Sequence, residues 1–372
     1  MTDISEYVHD LIEKGIQAGA SDIHIDPISD GVLVRFRMDG FLKEIEWKEE
    51  MWGPPVVSRI KLMSGMDIGD RRMPQDGGFS FELQRDGEKE TIDIRVATLP
   101  TIYGEKIVLR LLPHNTCYHS LSSLGMKPEH VQAVREMLVQ SQGMILIAGP
   151  TGSGKTTTMY AMLHELQREG RNVVSLEQPV EYRIAGVNQV QIHPRSGLSF
   201  HEGLRAVLRQ DPDVILVGEI RDKQTAEVAI RAALTGHLII TTVHTFDSVS
   251  TIIRLLDMGI EPYLVSSAIT GIIAQRLIRK VCIHCFGKDA SCSRCKGAGF
   301  FGRTGIYEVL AVDESLHPYI LNCSSAEVMR KYMVSNGFVT LSSILEEKVA
   351  QGVAEPTECQ RYMTYGHKST VV

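Results

Sequence analysis

The chain has 372 residues, 43% of them hydrophobic and 23% charged, a balance that supports sizeable cores and leaves room for two domains. Its net charge of −6 excludes a global attraction to nucleic acid or anionic membrane, although a local basic patch remains compatible with it. The longest clean apolar run, Met144 to Ala148, falls far short of the roughly 20 residues of a membrane helix, and the acidic opening MTDISEYVHD has no apolar signal region; the expected location is the cytoplasm, with any membrane attachment made through a partner.

Apolar positions at Ile4, Val8, Leu11, Ile12 and Ile16 predict a helix over Ile4 to Ala18, stopped by Gly19. Strand-like segments follow. Val32, Val34, Phe36 and Met38 alternate with Leu33, Arg35 and Arg37, the period of a strand. Asp39-Gly40 is a hairpin signal and Phe41 starts the return strand. Pro54 to Met63 reads as a helix, and Phe79 to Leu83, Thr91 to Ala97 and Lys106 to Leu112 as strands. Residues 1–112 are therefore expected to form a small α+β domain. Pro113 to Leu121 is polar and unpatterned, so 113–122 is set apart as a linker.

From 123 the pattern changes. Met144 to Ala148, Val173 to Leu176, Val214 to Val217 and Leu238 to Val243 are short apolar runs without strict alternation, as suits strands buried on both faces. Helices fit between them at Thr156 to Glu169, Phe200 to Arg209 and Lys223 to Leu234, and the tail from Ser324 onward looks helical. This is an α/β nucleotide-binding architecture.

Gly149-Pro150-Thr151-Gly152-Ser153-Gly154-Lys155-Thr156 fits G-x-x-x-x-G-K-[ST] in full, with a buried strand before it and a helix after it. The glycines let backbone N–H groups turn inward around phosphate oxygens, and the helix N-terminus adds its partial positive charge. Lys155 can reach the β- and γ-phosphates, the Thr156 hydroxyl can ligate Mg²⁺, and Thr157 completes the nucleotide-binding set. Hydrolysis needs a further group to orient water. Ile215-Leu-Val-Gly-Glu219 is an apolar strand whose Glu219 stands at the end where chemistry sits in open α/β sheets; the alternative is a surface glutamate starting a turn. His244 follows another buried strand, where it either contacts a phosphate or is structural. Cys282-x-x-Cys285 and Cys292-x-x-Cys295 are two knuckles six residues apart that can offer four thiolates to one structural zinc; the alternative is four reduced cysteines with no metal. Cys117, Cys323 and Cys359 have no partner pattern and read as packing residues.

Together these segments resemble the traffic ATPases of type II secretion and type IV pilus systems. The resemblance spans nearly the whole chain: Ala20-Ser-Asp-Ile-His-Ile-Asp-Pro27, Arg71-Arg-Met-Pro-Gln-Asp-Gly77, the stretch from Arg95 to Lys106, Gly218-Glu-Ile-Arg-Asp222, Thr235-Gly-His-Leu238 and Gly302-Arg-Thr-Gly-Ile-Tyr-Glu308. Without a longer N-terminal extension the chain looks most like the compact competence-pilus assembly ATPases of Gram-positive bacteria. The resemblance implies a RecA-like P-loop core over 123–372, with a tetracysteine arm at about 278–310 and a helical C-terminal part. It makes Glu219 the Walker B glutamate. Glu177 falls in the acidic box that organises magnesium and water, and His237 and His244 in the histidine box. Arg95 and Arg110 become arginines supplied to nucleotide, against the alternative of salt bridges with Asp93 as partner. The acidic box departs from its usual Glu-Asp-Pro, reading Glu177-Gln178-Pro179. The tetracysteine arm is typical of assembly-type members and favours assembly over retraction. Also implied are ATP and Mg²⁺, a ring that is a hexamer, an inner-membrane platform protein as partner, and a cytoplasmic place at the inner face of the membrane, with no direct nucleic-acid contact. The rival readings are a nucleic-acid motor with the same core and a nucleotide-binding scaffold without turnover.

Overall fold

The computed structural model describes residues 3–38, 40–85, 88–113, 120–166, 170–181, 183–193, 196–295 and 297–360. Cys117, Asp39 of the hairpin signal and residues 114–119 of the expected linker lie outside these. The chain divides into two compact units, Met1–Cys117 and Tyr118–Val372.

The first unit opens with α1 (Ile4–Gln17), capped where the Asp3 side chain accepts from the Ser5 amide. Six antiparallel strands follow: β1 (Asp22–Ile28), β2 (Gly31–Met38), β3 (Phe41–Glu49), β4 (Gln75–Arg85), β5 (Glu88–Thr101) and β6 (Gly104–Pro113), with α2 (Gly53–Met63) after β3. They pair in the order β3-β2-β1-β6-β5-β4. Ile23, Ile25, Val34, Phe36, Ile94, Val96, Ile107 and Leu109 point inward to one core with Val8, Leu11 and Ile12 of α1 and Val57 and Ile60 of α2. Because side chains alternate across a strand, Asp22, His24, Asp26, Arg35, Arg37, Arg95 and Arg110 share the other face. Strand β1 had no explicit sequence range because its outward positions are Asp, His and Asp, residues poorly suited to strands. Ion pairs to Arg35 (2.8 Å from Asp26) and Arg110 (3.2 Å from Asp22) accommodate them.

The second unit alternates helices and strands: α3 (Pro128–Val139), β7 (Gly143–Ala148), α4 (Lys155–Leu166), β8 (Val173–Glu177), β9 (Asn188–Gln191), α5 (Phe200–Val207), β10 (Val214–Val217), α6 (Lys223–Leu234) and β11 (Leu238–Val243). Then come α7 (Ser248–Asp257), α8 (Pro262–Ala268), β12 (Ile269–Val281), β13 (Phe300–Ala311), α9 (His317–Leu321), α10 (Ala326–Ser335) and α11 (Leu341–Ala350). The seven strands order as β13-β12-β7-β11-β10-β8-β9. All neighbours are parallel except β12 with β13. The central strands feed two cores. Met144, Leu146 and Ala148 of β7 enter one, and Ile145 and Ile147 enter the other. A strand covered on both faces has no polar side to alternate with, which is why these runs read as continuous.

Strands β9, β12 and β13 and helices α3, α7 and α8 extend the architecture beyond the sequence reading. Cys359 packs against the core as expected, but Cys323 does not: it is exposed, at a positive φ of 49° after α9. Among the described residues, no helix is long and apolar enough to cross a membrane.

Candidate functional site

At the C-terminal end of β7 the chain turns through the phosphate loop into α4. A Cβ on Gly149 would lie 2.3 Å from Ser153 Oγ, and Gly152 and Gly154 hold φ of 78° and 89°, so three glycines are required by contact or conformation. Gln275 of β12, fully buried, donates from Nε2 to the Ser153 carbonyl at 2.7 Å and braces the loop from below. Lys155 Nζ donates to the carbonyls of Gly149 at 2.7 Å and Pro150 at 3.1 Å. Burial lowers its pKa to about 8, against the opposing pull of Glu219 and with help from Arg276.

Residues Thr151 to Thr157 line an open cleft of about 430 Å³ that also takes in Glu177, Gln178, Glu181, Glu219, His244 and Arg303. Gly149 and Pro150 are not among the residues that line it. Gly218 follows β10, and a Cβ there would sit 3.1 Å from the Leu176 carbonyl, so the close approach to β8 favours glycine. Glu219 accepts a hydrogen bond from Arg221 and lies 3.5 Å from His244 Nε2. Burial raises its pKa, but Arg221, His244 and Lys155 together outweigh that and hold the carboxyl below its usual range. Burial and then Lys155 lower the His244 pKa, against the opposing pull of Glu219. Such a set can bind a polyphosphate, hold its metal on a hydroxyl and acids, and present an ionised carboxylate to water.

Other expected residues sit differently. Glu177 is almost fully buried, and its carboxylate accepts from the Tyr160 hydroxyl, from Ser175 Oγ at 2.5 Å and from Gln189 Nε2 at 3.1 Å. His237 precedes β11, about 20 Å along the strand from His244, with Nδ1 3.1 Å from the Ala232 carbonyl; it is not brought to the cleft. Arg95 and Arg110 stand directly opposite each other on β5 and β6. The row continues through Asp22 of β1 to Arg37 of β2. Asp22 is the acid beside Arg110, while Asp93 accepts from Ser80 Oγ at 2.7 Å. Sequence reasoning missed Gln275 and Tyr160, because no local pattern distinguishes a loop brace or a buried donor from ordinary strand and helix positions, and it placed Arg303 within the motif Gly302 to Glu308 without giving it a role.

The four cysteines lie in the connection between β12 and β13, with Sγ atoms all within 4.8 Å of one another. Cys282 and Cys292 are 4.0 Å apart and Cys285 and Cys295 3.6 Å. A tetrahedral zinc with thiolates at 2.3 Å separates its sulfurs by about 3.8 Å, so the residues present fit that ion with no open position.

A sheet of this order with a phosphate loop and an ionised glutamate at its C-terminal edge defines a P-loop ATPase. The family model for "Type II/IV secretion system protein" matches residues 2–361. The chain is 39% identical over 384 residues to the type II secretion system ATPase E of Vibrio cholerae, covering 96% of this chain and 75% of that protein. It is 39% identical over 373 residues to the type IV pilus assembly ATPase PilB of Thermus thermophilus, covering 94% of this chain and 42% of that one. Among solved structures it is similar to the pilus retraction motor PilT with bound ADP, at a TM-score of 0.70 and 27% identity over 95% of this chain and 96% of the other. The chain therefore belongs to the type II/IV secretion system ATPase family, and it is an ATP hydrolase.

Proposed function

We propose that this chain is the motor that assembles a pilus or secretion pseudopilus, coupling ATP hydrolysis to the addition of pilin subunits at the base of the fibre. The observation that carries this reading is the joint presence of the phosphate cleft and the four-cysteine arm in one unit. In the cleft, the loop from Gly149 to Thr157 binds ATP, Lys155 holds the β- and γ-phosphates, and Thr156 carries Mg²⁺. Glu219 polarises the attacking water, His244 contacts the γ-phosphate region, and Glu177 shapes the metal's surroundings. Arg95 and Arg110 are arginines supplied to nucleotide. The domain division is 1–112, 113–122 and 123–372. Zinc on Cys282, Cys285, Cys292 and Cys295 is structural, since four thiolates leave no position for a substrate. The working form is a cytoplasmic hexameric ring bound to a membrane platform protein, and DNA uptake through a competence pilus is the particular process we favour.

Two measurements test this. Purified protein should release phosphate from ATP with Mg²⁺ present, and capture from detergent-solubilised membranes should retrieve an integral-membrane partner. A rate raised several-fold by DNA alone would instead support a nucleic-acid motor, and absence of turnover would support a scaffold.

A further inference from the structure

Tyr160 is among the largest fully buried side chains in the protein, and it lies in the third core facing β7 and β11. A phenylalanine would fill that space. The hydroxyl is therefore the feature that needs a reason, because a buried phenol without partners is costly. It has partners. It donates to Glu177 Oε2 and accepts from the Glu181 backbone N–H at 3.1 Å. Burial, and then the neighbouring Glu177 charge, push its pKa well above the ordinary range for a phenol, so it stays a donor.

The placement adds to this. Tyr160 follows Thr156 by four residues on α4, so the two share a helix face about 6 Å apart along the axis. Thr156 opens onto the cleft, as do Glu177 and Glu181. Two further donors to Glu177, Ser175 Oγ and Gln189 Nε2, come from β8 and β9. Tyr160 alone among these three donors connects the helix that follows the loop to the acidic segment 177–181.

We propose that Tyr160 is a positioning residue for hydrolysis: one hydroxyl fixes the Glu177 carboxylate and the Glu181 backbone to the helix that follows the phosphate loop. Seating of the triphosphate on the first turn of α4 is then passed to the Glu177 carboxylate through a rigid ring rather than through the sheet. This rests on the reading of Glu177 as an acid of the hydrolytic site.

The test compares Tyr160→Phe, Glu177→Gln and the double variant with the wild-type chain, at a temperature where all keep the wild-type circular dichroism spectrum. Tyr160→Phe should lower kcat about tenfold or more, as loss of a supporting partner commonly does, and raise the Mg²⁺ concentration needed for half-maximal rate. Affinity for a fluorescent ATP analogue should stay within about threefold, since the binding loop is untouched. If the hydroxyl acts through Glu177, the double variant should be no slower than Glu177→Gln alone. A wild-type kcat in Tyr160→Phe beside a slow Glu177→Gln would overturn the proposal for Tyr160 and leave the role of Glu177 standing. A wild-type rate in Glu177→Gln would overturn both. Losses that multiply in the double variant would show the hydroxyl acting independently of Glu177 and would also overturn it.

Discussion

The outer face of the six-stranded sheet and the phosphate cleft are both built from charged side chains, and they hold them differently. On the sheet face, Arg37, Asp22, Arg110 and Arg95 form a cross-strand row in which the Arg110 side chain is 61% exposed. In the cleft, Lys155 and Glu219 are half-buried and carry shifted pKa values, Lys155 tied to backbone carbonyls and Glu219 to Arg221, which is itself as exposed as Arg110. Exposed ion pairs contribute little to stability, whereas burial converts the same chemistry into directed fields. A charge removed from the cleft should thus change nucleotide handling at once. A charge removed from the row should leave folding intact and reveal whether the row serves a ligand.

The largest effect is expected from Lys155→Ala. Its ammonium is the cation nearest the expected phosphates, and nucleotide affinity should fall about 100-fold, with turnover lost. Titration with a fluorescent ATP analogue measures this, and unchanged affinity would put the cleft on the same footing as the exposed row. Next come Arg95→Ala and Arg110→Ala, which should melt within a few degrees of the wild type yet lose at least about tenfold in ATPase rate. Mixing the Arg110 variant with a Glu219→Gln variant should restore measurable activity if the arginine acts across a subunit boundary. Wild-type rates in both arginine variants would leave the row as salt bridges only.

A third effect follows from the Lys155 pKa of about 8. Folding disfavours the charged lysine, so it costs stability in full below pH about 8, and that cost is relieved progressively as pH rises from about 8 to the ordinary lysine value of 10.5. Nucleotide binding runs the other way, because phosphates attract the charged form. Affinity should weaken above pH 8 by up to about tenfold per unit, and Lys155→Ala should show no such slope. The smallest effect is chelation of the cysteine arm. Because thiolate ligation is linked to local folding, metal removal should lower the melting temperature by several degrees. Zinc-free protein of equal stability would show that the cysteines do something else.

Much of this was legible in the sequence, for physical reasons. The phosphate loop is contiguous and each of its residue types answers to a local demand. Strands β7, β8, β10 and β11 announce themselves because two-sided burial requires unbroken apolar runs. Arg95 and Arg110 share a face by period-two alternation, and the register of β5 on β6 sets them opposite each other. Strand β12 was illegible, since Gln275 and Arg276 interrupt its apolar run for the sake of partners distant in sequence: Gln275 braces Ser153, and Arg276 donates to the Phe246 carbonyl at 2.8 Å. Tyr160 looked like any aromatic on a buried helix, and only the fold brings Glu177 to its hydroxyl. His237 shows the opposite limit. The resemblance puts it in one histidine box with His244, but a six-residue strand carries the two to opposite ends of the sheet.

The central claim is that the cleft separates nucleotide binding, carried by the phosphate loop, from chemistry, carried by Glu219. Glu219→Gln keeps the side-chain shape and removes the ionised carboxylate that Arg221 and His244 flank. Phosphate release and nucleotide affinity measured together on this variant test the claim most directly. The account predicts turnover lower by about 100-fold or more with affinity within about threefold of the wild type. Near-normal turnover in Glu219→Gln would contradict it.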